Sequence, residues 1–116
     1  MKKLYTKALA AYLEMLEIHI DTKTKDVTFH EKTNVFYDTL FDVAHKIGER
    51  YVDSGGDLRT DSLTEKKKRA NKIISDLKME LEKYDIDNNL SLGTQDLIGG
   101  LADELEDIEG TSKAFL

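Results

Sequence analysis

Four stretches of this chain repeat their apolar residues every three to four positions, and none alternates with a period of two. That pattern leaves helices packed on helices as the available architecture. The first stretch, near residues 3–24, carries Leu4, Ala8, Ala11, Tyr12, Met15 and His19 on one stripe. The second, near 29–54, carries Phe36, Leu40, Val43, Ala44, Ile47 and Tyr51. Ala70, Ile73, Ile74, Leu77, Leu81 and Tyr84 line the third, near 62–84. Leu97, Ile98, Leu101, Leu105 and Ile108 line the fourth, near 93–109. Short connections between long amphipathic helices favour antiparallel neighbours, so the pattern predicts an all-α, up-down-up-down four-helix bundle in a single domain spanning residues 1–116.

Local signals mark the helix ends. Gly55-Gly56 closes the second helix, as glycine after a last turn commonly does. Ser62-Leu63-Thr64-Glu65 has capping-box spacing and opens the third. Gly110 is expected to stop or fray the fourth helix. Gly99-Gly100 within it costs about 1 kcal/mol per glycine relative to alanine, and either a close helix approach or a poorly formed helix would account for the pair.

Composition removes several function classes. Cysteine is absent, which excludes disulfides and thiolate metal sites and fits a reducing compartment. The net charge is −6 and no strongly basic face exists, so nucleic-acid binding is disfavoured. No apolar run approaches the roughly 20 residues of a membrane-spanning helix. Met1-Lys2-Lys3 is not followed by the apolar core of a signal peptide, and the protein reads as cytoplasmic.

The three histidines are the most informative residues. A helix advances by about 100° per residue. With His30 at the origin, Phe41 falls at about 20°, Asn34 and Val52 at about 40°, His45 at about 60° and Glu49 at about 100°. The second helix therefore has a further stripe, polar at both ends and apolar between. His30 and Asn34 are one turn apart, as are His45 and Glu49, and such pairs can grip a metal ion. His30 and His45 are separated by about 22 Å along a straight helix, too far to hold one ion. A second copy, antiparallel about a two-fold axis near Phe41, would join the two ends and create two equivalent sites. His19, on the first helix, would join from the side. Nitrogen and carboxylate ligands together suit iron, zinc or manganese.

These residues resemble those of the Dps-type miniferritins, within the ferritin-like superfamily. That family places a histidine on its first helix and, about a dozen residues later, a His-Glu pair with an aspartate four residues after that histidine. An Asp-x-x-x-Glu-Arg arrangement and a Gly-Gly follow. His19, His30-Glu31, Asn34, His45, Glu49-Arg50 and Gly55-Gly56 occupy those places. Gly93-Thr94-Gln95-Asp96-Leu97 resembles the opening of the family's last helix, and Lys113-Ala114-Phe115-Leu116 its C-terminus. The resemblance covers roughly residues 10–56 and 93–116. It implies a ferritin-like bundle, a homo-oligomer, and iron bound between subunits by His19, His30, Asn34, His45 and Glu49. Oxidation of ferrous iron by peroxide or oxygen, and iron storage, would come with it. Asn34 and His45 stand where the family has aspartates, which moves the preference toward softer, nitrogen-binding metals. Residues 57–61 are barely a turn where the family has an extra helix that helps build its dimer, so the resemblance does not extend to the twelve-subunit shell. The alternative expectation is a non-enzymatic helical scaffold that kept the bundle and lost the chemistry.

Two other motifs carry less. Asp85-x-Asp87-x-Asn89-x-Ser91 half resembles a calcium loop, but Leu90 stands at the position that needs glycine. Lys66-Lys67-Lys68-Arg69 and the acidic run from 103 to 109 read as solvated helix faces.

Overall fold

The computed structural model describes residues 1–116. It has four helices and no strand: α1 (Lys2–Asp21), α2 (Val27–Asp53), α3 (Leu63–Asp87) and α4 (Leu92–Lys113). The all-α expectation holds. No helix is long and apolar enough to cross a membrane. The helices pair into two compact units, Met1–Thr60 and Asp61–Leu116.

The first unit is an antiparallel hairpin of α1 and α2. Tyr5 lies against Gly48, Tyr12 packs edge-on to Phe41 at 5.4 Å between centroids, and His19 stacks on His30 at 4.0 Å. Rising numbers on α1 thus meet falling numbers on α2. Asp26 caps the start of α2, its carboxylate accepting from the Phe29 amide at 3.0 Å. The far end closes in a Schellman motif. Gly56 N–H donates to Tyr51 C=O at 3.0 Å and Gly55 N–H to Val52 C=O at 2.9 Å. Gly55 has φ 92°, a conformation that side chains with a Cβ rarely adopt.

Two helices cannot surround a core. Ala44, 3% exposed, is the one fully buried apolar side chain, with Thr33 and Gly48 also buried on α2. Leu4, Phe36 and Val43, expected in the core stripes, are half exposed on the flank of the hairpin. The seam between the helices keeps Ala8, Tyr12, His19 and Ala44 of the expected stripes and adds Tyr5, Thr33, Tyr37 and Gly48. A helix that packs on one neighbour buries only about a third of its circumference, and apolar residues beyond that arc stay in water.

The second unit pairs α3 with α4. The capping box at its start is complete: the Glu65 amide donates to Ser62 Oγ at 3.1 Å and the Ser62 amide to Glu65 Oε2 at 2.9 Å. α3 runs on to Asp87, so Asp85 and Asp87 lie within a helix and the connection is only residues 88–91. A calcium loop is thereby excluded from this segment. Gly110 does not end α4, which continues to Lys113. The Glu109–Lys113 pair, 3.3 Å, spans that glycine one turn apart. Gly99 and Gly100 have open space around them and lie within a continuous α4, so neither a close helix approach nor a broken helix accounts for the pair.

Glu109 corrects the reading of 103–109 as a wholly wet face, for it is 8% exposed. It falls one turn after Leu105, on the side that meets α3. Its carboxylate lies 3.3 Å from Lys113 Nζ and 3.8 Å from Lys78 Nζ. The hydrogen bond from Lys113 holds its pKa below the ordinary value of 4.5, with help from both lysine charges and Ser75 and against the effect of burial. A lowered folded value means stability that is complete above pH 4.5 and is lost as pH falls through the lowered value. Wild type is therefore expected to melt above Glu109→Gln at pH 7, with the gap narrowing as pH falls below 4.5. A gap that stays constant across that range would show that the ion cluster does not stabilise the fold.

Candidate metal centre

The five-residue turn between α1 and α2 brings His19, in the last turn of α1, onto His30, in the first turns of α2. The rings stack at 4.0 Å with 17° between planes. His19 Nδ1 lies 2.9 Å from both the His30 carbonyl and Thr33 Oγ1, while His30 Nδ1 bonds the His19 carbonyl. A carbonyl only accepts, so both Nδ1 atoms carry the proton. In the neutral rings each Nε2 is then the lone-pair nitrogen, and neither has a hydrogen-bond partner within the chain. Metal-bound histidines are held in this way, the far nitrogen donating to a carbonyl or carboxylate so that ring and tautomer are fixed.

Thr33 completes the lock. Its hydroxyl donates to the His30 carbonyl at 2.7 Å and accepts from His19, and the side chain is 0% exposed. Thr33→Val keeps the shape and deletes the hydroxyl. It is expected to cost about 1–3 kcal/mol, the usual penalty for orphaning buried polar partners. Unchanged urea unfolding would mean that the hydroxyl is dispensable. Asn34 is exposed, and its Oδ1 accepts from Tyr37 Oη at 2.8 Å. Tyr37 in turn lies against His19 at 4.7 Å. Sequence reasoning did not single out Thr33 and Tyr37. They fall at about 300° and about 340° on the α2 wheel, the side that meets α1.

The other pair lies toward the end of α2. His45 Nε2 is 3.2 Å from Glu49 Oε1, and both side chains are exposed. Two ligands on one ion stand about 3.0–3.4 Å apart, given bonds of about 2.1 Å and angles between square and tetrahedral. The pair is thus spaced to chelate with little movement. A cleft of about 310 Å³ opens beside it, lined by Tyr5, Gly48, Val52, Asp53 and Leu58. Phe41 lies between the two pairs, 52% exposed, with Tyr12 on one side and His45 at 5.9 Å on the other.

Within one chain the structure therefore brings His19 to His30 and His45 to Glu49, and keeps the two pairs apart. No three potential ligands gather anywhere in the chain. The His45–Glu49 pair supplies two ligands, whereas the stacked rings of His19 and His30, 17° from parallel, keep their in-plane lone pairs in separate planes, so that pair offers an ion one imidazole at a time. No family model, characterised protein or solved structure matches the chain.

Proposed function

We propose that this chain is a ferritin-like metal-binding protein that holds a divalent transition metal, ferrous iron among them, at sites shared between two copies. The observation that carries the reading is the reciprocal lock of His19 and His30 on each other's carbonyls. It fixes the tautomer that leaves each Nε2 as a potential ligand, one of the two stacked rings turning its nitrogen to an ion. His45 and Glu49 of a second copy, with Asn34 at the margin, would complete the shell and add one anionic oxygen. Nitrogen and carboxylate ligands of this kind suit iron, zinc or manganese. Iron oxidation in a cytoplasmic homo-oligomer is the activity that the resemblance to miniferritins suggests.

The same lock favours a second reading. Two stacked histidines riveting a helix turn are sufficient as a structural device, and a non-enzymatic scaffold needs nothing more. Titration with ferrous iron under nitrogen, followed by absorbance after admission of oxygen, separates the two. Saturable binding near one ion per chain is expected. Asn34→Asp should bind iron about tenfold more tightly and oxidise it faster, because a carboxylate replaces a neutral amide beside a hard cation. Should wild type and Asn34→Asp both fail to bind, the scaffold reading replaces the metal reading.

A further inference from the structure

Metal sites shared between two copies, the premise on which this inference rests, fix how the copies must pair. A two-fold axis crossing α2 midway between the ligand pairs passes close to Phe41. It sets His30 of one copy opposite Glu49 of the other, and Asn34 opposite His45. The cleft beside His45 and Glu49 then lies opposite the partner's first turns of α2, where His30 and Asn34 reside. That cleft has the place needed to receive them.

The face around this axis is poorly suited to closing by itself. Phe41 and Val52 are its large apolar side chains on α2, each about half exposed. Asp38 falls at about 80° on the α2 wheel and Asp42 at about 120°, beside His45 and Glu49. Lys46 pairs with Asp42 at 2.8 Å but projects farther round the helix, away from the axis. Pairing two copies therefore brings Asp38 and Asp42, the acids near the axis, toward those of the other copy, in a chain that already carries −6. Like charges brought together oppose association.

We propose that divalent metal switches this chain from monomer to dimer. Each copy offers the His45–Glu49 chelating pair at one end of α2 and an imidazole of the His19–His30 stack at the other, and only the dimer brings the two ends together, twice. A ligand that binds the dimer and not the separate copies shifts association by its own binding free energy, once per site. With two sites and metal at about ten times the site Kd, the dimerisation constant should rise about 100-fold. The ion also lowers the negative charge collected on the interface. The occupant of the cleft is thus a second copy, and the metal is what seats it.

Sedimentation velocity on a dilution series, with EDTA or with Co²⁺, tests the proposal, while Co²⁺ visible absorbance reports ligation independently. The expected result is monomer in EDTA and dimer in Co²⁺ at the same micromolar concentration, with one Co²⁺ per chain. His45→Ala should abolish the shift, and Phe41→Asp should leave monomer under both conditions. Dimer of equal strength with and without Co²⁺, alongside normal Co²⁺ absorbance, overturns the switch and leaves the shared-site reading standing. Absence of Co²⁺ absorbance overturns both. A shift that persists in His45→Ala also overturns the switch, since surface carboxylates would then be doing the crosslinking.

Discussion

Gly48→Leu is expected to lower the stability of the α1–α2 hairpin by about 3 kcal/mol, at the upper end for overpacking. Gly48 is buried near the end of α2, where the ring of Tyr5 crosses it. A Cβ built there meets Tyr5 Cε2 at 3.0 Å and Cδ2 at 3.1 Å, with Leu58 Cδ1 at 3.8 Å. Alanine asks Tyr5 to yield by a few tenths of an ångström and returns about 1 kcal/mol of helix propensity. Gly48→Ala should therefore stay within about 1 kcal/mol of wild type. Leucine adds three more carbons to a space already held by the ring and by Leu58. It would pry the start of α1 from the end of α2. Against a total of about 5–15 kcal/mol, that loss should appear as a fall in Tm of about 10–20 °C by circular dichroism. If the leucine variant melts within two or three degrees of wild type, Tyr5 is not packed on Gly48 as described.

His30→Ala is expected to weaken metal binding by more than about 100-fold, since loss of a ligand exceeds the roughly 10–100-fold typical of losing a group that merely orients one. The variant also leaves the His19 carbonyl without its donor, at a cost of about 1–3 kcal/mol to the fold. Thr33→Val separates ligation from folding. It keeps both imidazoles and loosens only their orientation, so metal affinity should drop by about 10–100-fold. Calorimetric titration with Co²⁺ at pH 7.5, on protein shown folded by circular dichroism, distinguishes the effects. Two variants that bind like wild type would mark the histidines as rivets of the turn, and the scaffold reading would stand.

The helical class, the number of helices and most of their ends were legible in the chain. Period, the serine–glutamate capping box and Gly55-Gly56 act within a few residues, so local sequence determines them. The two ligand pairs were legible for the same reason: residues one turn apart share a face wherever the helix goes. The same rules misjudged Gly110, because the Glu109–Lys113 pair and the contact with α3 outweigh the preference of one glycine.

What the tertiary structure decided is the direction in which each face points. Periodicity marked the apolar stripes but could not say which third of each helix meets its neighbour. The seam runs through tyrosines, Thr33, Ala44 and Gly48, with Phe36 and Val43 left on the flank. Small and polar residues let two helices come close, and larger apolar ones hold them apart, so the choice depends on both helices at once. Glu109, acidic and on an acidic helix, is buried because Lys78 and Ser75 approach from α3. The stacking of His19 on His30 likewise required the turn between α1 and α2 to bring two helix ends into register. Sequence placed the two histidines on separate helices; the closed turn gave each the other's carbonyl as its hydrogen-bond acceptor.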